Sequence, residues 1–223
     1  MIQDCKNFLQ SCFFPQYCLR CQKEGESICK PCFEQIDIQI NWGDSYVESQ
    51  IQTGIAHVSF TQFSDPVIQS LIHRVKYKKE HALRVAVKQI IQKALEHNPA
   101  VFFQIDMICP IPLHKQRLLE RGFNQSEYIA QAISECCYIP IQDICFRAVQ
   151  TNQQAGLSAK ERKENMKQVF AVKNRELFQE KTILLVDDVY TTGATIESCA
   201  EVLLEAGAKQ VYGASLARSF LSH

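Results

Sequence analysis

The sequence predicts an α/β protein built on a mainly parallel sheet and preceded by a small four-cysteine zinc module. Apolar runs such as residues 183–186 are typical of strands buried on both faces of a parallel sheet. Apolar residues at helical spacing lie between these runs, and two CxxC pairs lie near the amino terminus. We therefore place a zinc-binding module in residues 1–50 and the α/β domain in residues 51–223.

The composition limits the classes of function. The chain has 223 residues, a hydrophobic content of 46% and a net charge of zero. Because the net charge is zero, the overall charge does not indicate a nucleic-acid partner. Asp4 interrupts the amino-terminal segment, and no apolar run reaches the roughly 20 residues of a membrane span. We expect a cytoplasmic protein without membrane insertion, whose cysteines outside the metal cluster are reduced core thiols.

Two CxxC pairs separated by seven residues form the segment CLRCQKEGESICKPC. Each pair makes a tight turn that directs two thiolates at one ion, and a polar connector lets the pairs meet. Four cysteines leave no open position for water, which favours structural over catalytic zinc. A redox CxxC is the alternative, weakened because two such pairs occur together. The predicted metal ligands are Cys18, Cys21, Cys29 and Cys32.

The first elements of the α/β domain are a strand at residues 54–60 and a helix that begins after Ser64 or Asp65, with Pro66 at its first position. Its predicted buried stripe is Val67, Ile68, Leu71, Ile72 and Val75. Cations cluster around Tyr77 at the end of this helix, a pattern suited to single-stranded nucleic acid, although basic helix ends are also common as solvated surface. The cluster comprises Arg74, Lys76, Lys78 and Lys79.

A second helix over residues 82–95 and a strand over residues 102–109 should follow. Pro110 and Pro112 predict a rigid loop at the carboxyl end of this strand, where parallel sheets form their ligand crevice. The cations expected at this crevice are Lys115, Arg117 and Arg121. A helix through Tyr128 and Ile133 and a strand near residues 144–147 come next.

The polar stretch at residues 148–169 is predicted to be a mobile loop that acts as a lid, because long loops inside compact domains are usually functional. Further strands are expected at residues 170–172, 183–186 and 211–216.

The segment that follows the strand at residues 183–186 indicates a ligand site. Asp187 and Asp188 come first, then the turn TTGAT and a helix that Gly207 closes. A helix amino terminus binds phosphate, and carboxylates accept hydrogen bonds from sugar hydroxyls, so a ribose 5-phosphate satisfies both halves. Neither a P-loop nor a GxGxxG motif is present. The plain alternative is an ordinary strand, turn and capped helix.

The stretch ILLVDDVYTTGAT resembles the phosphoribosyl pyrophosphate (PRPP) signature of type I phosphoribosyltransferases. This resemblance implies that Asp187 and Asp188 hold the ribose hydroxyls and that the turn holds the 5-phosphate. The implied PRPP-binding residues are Asp187, Asp188, Val189, Tyr190, Thr191, Thr192, Gly193, Ala194 and Thr195.

The chain as a whole resembles the competence protein F (ComF/ComFC) family, in which a four-cysteine zinc module precedes a phosphoribosyltransferase-like domain. The matching segments are FPQYCLRC with ICKPC, RVKYKKE, PIPLHKQRLLERGFNQSE, QTNQQAGLSAKERKENMKQVF and LLVDDVYTTGAT. The resemblance implies uptake of transforming DNA, with binding of single-stranded DNA on the cytoplasmic side. It also implies recruitment to the inner face of the membrane by the uptake machinery and a helicase-like partner.

Two functions stay open at this point. The first is a DNA-handling factor that binds a sugar phosphate, and the second is an active phosphoribosyltransferase with an unknown acceptor. Transfer would need Mg²⁺ on the pyrophosphate and cations against the leaving group, for which Lys115, Arg117, Arg121 and residues 150–163 are candidates. No catalytic residue is identified.

Overall fold

The computed structural model describes residues 16–42, 55–77, 81–98, 102–148 and 169–219. Several predictions fall outside these ranges, namely those on Lys78, Lys79 and all but the two ends of the lid segment.

Within these described ranges, seven strands form two sheets. The strands are β1 (Ile38–Trp42), β2 (His57–Gln62), β3 (Met107–Pro110), β4 (Cys145–Arg147), β5 (Phe170–Val172), β6 (Thr182–Tyr190) and β7 (Gln210–Arg218). The main sheet has the order β1-β2-β7-β6-β3; β1 is antiparallel to β2, and all other neighbours are parallel. The predicted mainly parallel α/β sheet is therefore confirmed.

The α-helices of the described residues are α1 (Lys30–Phe33), α2 (Pro66–Tyr77), α3 (His81–His97), α4 (Lys115–Arg121), α5 (Gln125–Cys137) and α6 (Ala194–Glu205). Helices α2, α3 and α5 pack on one face of the main sheet, and α6 packs on the other. Alternate residues of β6 point to opposite faces. Leu184 and Val186 join a core that contains α2, α3 and α5, whereas Ile183 and Leu185 join a second core that contains α6.

The helix α2 forms where its sequence pattern predicts. All five residues of the expected stripe are buried. Asp65 caps the helix, because its Oδ1 accepts a hydrogen bond of 2.7 Å from the backbone N–H of Val67. The sequence offered Ser64 and Asp65 as alternatives, and the structure selects Asp65.

Three elements differ from the sequence prediction. The strand expected at residues 102–109 begins only at Met107, because Phe102 and Ile105 close a turn. The residues after it form two helices, since Gly122 adopts a φ of 72° and ends α4. The strands β4 and β5 pair with each other, antiparallel and outside the main sheet.

The cysteine-containing segment packs directly on the α/β core. Cys18, Ile28, Cys32 and Ile36 belong to the same buried cluster as Val58 and Phe60 of β2. The division at residue 50 remains a prediction, and β1, which lies before it, completes the main sheet beside β2. Among the described residues, no helix has the length and apolar character needed to cross a membrane.

Candidate functional site

The four predicted metal ligands lie together at the amino-terminal end of the described chain. The Sγ atoms of Cys18, Cys21, Cys29 and Cys32 all lie within 4.8 Å of one another, and those of Cys21 and Cys29 are 3.5 Å apart. Four thiolates around one zinc ion, with Zn–S bonds of about 2.3 Å, require sulfur separations of roughly 3.8 Å. The donor set therefore fits one tetrahedral metal ion. Within the described ranges, no second group of metal-ligating side chains meets the same criterion.

Asp187 lies near the carboxyl end of β6, just past the last residue that pairs with β3. Its Oδ1 accepts hydrogen bonds from Ser126 Oγ at 3.1 Å and from the backbone N–H of Asp188 at 2.8 Å. Burial is the main cause that raises the pKa of Asp187 to about 7, and the negative charge of Asp188 adds to it. The two hydrogen bonds and the charge of Lys76 act in the opposite direction. Asp187 therefore changes charge near neutral pH.

Asp188 forms an ion pair with α2. Lys76 Nζ lies 2.9 Å from Asp188 Oδ2, and both side chains are largely shielded from solvent. Asp188 Oδ1 accepts a hydrogen bond of 2.8 Å from the backbone N–H of Val189. Sequence analysis assigned Lys76 to DNA or pyrophosphate, and the structure places this cation against the acid pair. The end of α2 and the start of α5 thus converge on two adjacent carboxylates.

The turn after β6 leads into α6. Gly193 has a φ of 82° and begins the helix without a side-chain cap. Thr191, Thr192 and Ala194 are exposed, and Thr192 Oγ1 accepts only a long hydrogen bond of 3.4 Å from the backbone N–H of Ala194. Uncapped N–H groups at a helix amino terminus attract anions. The turn can accept a phosphate from the solvent side.

Tyr190 packs beneath this turn. A Cβ atom on Gly193 would lie 2.5 Å from the hydroxyl oxygen of Tyr190, so only glycine fits here without displacing the tyrosine. The Tyr190 ring stacks on His57 at a centroid distance of 3.9 Å. Burial, followed by the positive charge of Arg218, lowers the pKa of His57 to about 3, so the imidazole is neutral. This stack supports the turn from below.

The remaining predicted cations lie on α2 and α4. Lys115 and Arg117 are exposed, and Arg74 is near the end of α2. The guanidinium carbon of Arg121 lies 5.6 Å from the ring centroid of Tyr77, and its Nη1 donates a hydrogen bond of 3.0 Å to Gln125 Oε1. Lys78 and Lys79 lie outside the described residues.

Sequence reasoning gave no role to Asn124 and Ser126. Asn124 caps α5 by accepting a hydrogen bond from the backbone N–H of Ser126, and it donates one of 2.9 Å to the carbonyl of Ile111. These contacts hold the Ser126 hydroxyl at Asp187. The sequence signal for this helix start is Asn124 with Glu127 three residues later, a spacing related to the capping box. The contact with Asp187 itself spans 61 residues of sequence and has no local signal.

The chain is similar to proteins of known families. Residues 119–219 match the phosphoribosyl transferase domain family, a range that contains Ser126, the acid pair and the turn. The chain is 33% identical over 159 residues to the DNA utilization protein YhgH of Salmonella typhimurium, covering 69% of this chain and 68% of that protein. It is 28% identical over 211 residues to competence protein F of Haemophilus influenzae, covering 92% of this chain and 86% of that protein. The chain belongs to the competence protein F family.

The family assignment extends to the fold. The chain has a type I phosphoribosyltransferase-like sheet, with a four-cysteine cluster at the amino-terminal end of its described residues. Among solved structures, it is similar to glutamine PRPP amidotransferase from B. subtilis, with a TM-score of 0.45 and 20% identity. That similarity covers 64% of this chain and 30% of the amidotransferase chain.

Proposed function

We propose that this protein acts in DNA uptake on the cytoplasmic side, where it binds single-stranded DNA and a phosphorylated ribose of the PRPP type. The names of its relatives, competence protein F and DNA utilization protein, support the first part of this proposal. The observation that carries the second part is the convergence of Ser126 and Lys76 on an acid pair three residues before an exposed, uncapped turn.

The arrangement suits a sugar phosphate for electrostatic reasons. A 5-phosphate on the turn at residues 191–195 would take the uncapped N–H groups of α6 and the threonine hydroxyls. Asp187 and Asp188 would accept hydrogen bonds from the ribose hydroxyls, whereas a second phosphate placed there would be repelled by the carboxylates. The diol and the phosphate would thus occupy separate parts of one site.

We propose that the cysteine cluster binds a zinc ion. Its role would be structural, because four thiolates leave no ligand position for substrate. Uptake machinery and a helicase-like protein are the proposed partners, which would recruit the protein to the inner face of the membrane. Mg²⁺ is proposed only as a companion of the pyrophosphate group of PRPP, since the described metal-ligand cluster consists of cysteines.

Calorimetric titration with PRPP tests the sugar-phosphate site. Gly193→Val should abolish binding, because the new side chain collides with Tyr190 and forces a valine into a left-handed backbone conformation. Thr192→Val, at an exposed threonine of the turn, should weaken binding about tenfold with little change in stability. The control is Gly207→Val, which introduces comparable backbone strain at the far end of α6.

Unchanged PRPP affinity in both turn variants would remove the sugar-phosphate proposal. If the Gly207→Val control loses as much PRPP affinity as Gly193→Val, the effect of Gly193→Val is general destabilisation. The PRPP affinity of Thr192→Val would then decide whether the turn binds the phosphate.

Active phosphoribosyl transfer is the second candidate, favoured by the position of Lys76. A cation 2.9 Å from an acid that contacts the ribose would lie close to the pyrophosphate at C1 of the sugar, where negative charge grows as the bond breaks. Release of pyrophosphate from PRPP, measured against a panel of bases and amines with and without Mg²⁺, tests this activity. Stable PRPP binding without release would favour the DNA-handling function alone.

A further inference from the structure

Tyr77 is an exposed aromatic residue at the end of α2. Its side chain is 64% exposed, although tyrosine is usually at least half buried in folded domains. The Arg121 guanidinium lies 5.6 Å from its ring centroid, and the ring of His73 lies 5.0 Å away at an angle of 49°. The three side chains, here called the Tyr77 platform, combine an open aromatic surface with a fixed cation.

Arg121 is held in place without losing its charge. Gln125, which accepts a hydrogen bond of 3.0 Å from Arg121 Nη1, is 5% exposed and lies at the start of α5. Within the described part of the chain, Arg121 contacts this neutral amide and the Tyr77 ring. Neither partner neutralises the guanidinium, so its positive charge is available to an anionic ligand.

The surroundings of the platform carry further positive charge. The helix α4, which ends at Arg121, has no buried residue and presents Lys115 and Arg117 with one acid, Glu120. Lys76, the residue before Tyr77, forms the ion pair with Asp188. The Tyr77 platform therefore lies beside the acid pair, at the carboxyl end of the cationic helix α4.

We propose that the Tyr77 platform stacks a base of single-stranded DNA while Lys115, Arg117 and Arg121 contact its phosphates. This inference rests on the DNA binding proposed above and identifies the surface that performs it. A flat ring with an adjacent guanidinium is the usual arrangement for sequence-independent contact with single strands. Bases of a duplex are already stacked on each other, so the platform selects unpaired strands.

A strand fits this surface better than a free base. Tyr77 is too open to enclose a small ligand, and stacking on one exposed ring alone gives weak binding. A strand adds phosphate contacts along α4, and each neutralised phosphate releases counterions. The ligand is therefore a polymer that offers bases and phosphates together.

Anisotropy titration of a labelled oligothymidylate tests the proposal. Tyr77→Ala should weaken binding about tenfold, and Tyr77→Phe should bind like the wild type because the ring is retained. Arg121→Gln should weaken binding and reduce the slope of log affinity against log salt concentration by about one. The control Tyr138→Ala removes a tyrosine that is 93% exposed at the other end of α5, about 20 Å away along the helix axis.

The same titration with an abasic strand separates stacking from other effects. Without bases, the wild type and Tyr77→Ala should bind equally. Two results would contradict base stacking on the platform while leaving the proposed DNA binding intact. In the first, Tyr77→Ala binds oligothymidylate as tightly as the wild type. In the second, Tyr77→Ala loses as much affinity for the abasic strand as for oligothymidylate. If the wild type binds neither strand, the proposed DNA binding fails as well. Loss of affinity in Tyr138→Ala would also overturn the assignment, because the effect would not be specific to the platform.

Discussion

Asp187 and Asp188 are adjacent on β6, yet their carboxylates have different surroundings. Asp188 has a cation at 2.9 Å, and Asp187 has a hydroxyl and a backbone N–H as partners. Burial and the charge of Asp188 raise the pKa of Asp187 to about 7. Asp187 can therefore hold a proton near neutral pH.

The first prediction concerns the pH dependence of stability. Because the folded pKa of Asp187 is about 7 and its ordinary value is 3.8, the native state holds a proton between these pH values that the unfolded chain releases. The free energy of unfolding should therefore fall as pH rises from about 4 to about 7, by at most about 1.4 kcal/mol per pH unit from this group. Asp187→Asn should remove this component in urea unfolding measured across that range.

The control for this experiment is Asp106→Asn. A hydrogen bond from the backbone N–H of Thr182 is the main cause that lowers the pKa of Asp106, so this acid stabilises the native state above its ordinary pKa. Its substitution should change the profile at more acidic pH and with the opposite sign. An unchanged slope between pH 4 and 7 in Asp187→Asn would contradict the assignment.

At the scale of elements, α2 connects the cysteine cluster with the candidate site. At its start, Asp65 caps the helix and forms an ion pair of 2.9 Å with Arg20, which lies between two of the cysteines. At its end, Lys76 reaches Asp188. One helix of 12 residues, about 18 Å long, is thus fixed by polar contacts at both ends.

The second prediction separates the two roles of Asp65. Asp65→Ala should lower the free energy of unfolding by roughly 1 to 2 kcal/mol, because the cap on Val67 and the partner of Arg20 are both lost. Asp65→Asn keeps the capping oxygen and removes only the charge, so it should cost less than about 1 kcal/mol. Urea unfolding followed by circular dichroism measures both, and equal losses in the two variants would show that the cap contributes nothing.

How far the sequence predicts an element depends on the range of the interactions that form it. The buried stripe of α2 and its cap follow from residues at helical spacing, and the sequence predicts them residue by residue. The strand β6 follows from a continuous apolar run. The sequence does not predict the pairing of β4 with β5. The two short strands are separated by residues 148–169, and neither has a periodic pattern that indicates its partner.

The candidate site follows the same rule. The acid pair, the turn and the four cysteines are contiguous or closely spaced, so their chemistry is visible in the sequence. The ion pair of Lys76 with Asp188 and the contact of Arg121 with Tyr77 join distant segments, and they depend on how the helices pack on the sheet. Sequence analysis predicts these cations as a group of ligand-binding residues, but it has no means to assign their partners within the fold.

At the scale of the whole molecule, the cysteine segment and the α/β domain share one core. Cys18 and Cys32 are buried, and together with Ile28 and Ile36 they belong to the cluster that includes β2, α2 and α3. Two of the four predicted metal ligands therefore also take part in the packing of the main sheet.

The third prediction follows from this shared core. Purified protein should contain about one zinc ion per chain, and removal of the metal with a chelator should lower the unfolding midpoint of the whole molecule. Near-ultraviolet circular dichroism and urea unfolding with and without chelator measure the effect. Cys18→Ser should reproduce it, whereas Cys136→Ser, at a half-buried cysteine outside the cluster, should not. A metal-free protein with an unchanged midpoint would contradict the prediction.

The strand β1 also protects the sheet from other copies of the chain. It covers the side of β2 that would otherwise present unpaired backbone groups, and at the opposite edge β3 has only four residues and ends at Pro110, which lacks an N–H donor. A chain that starts after β1 would leave β2 as a bare edge strand of six residues, five of which are buried in the intact molecule. Exposed edge strands promote strand exchange and aggregation. By pairing with β2, β1 therefore protects the α/β domain from aggregation through this edge.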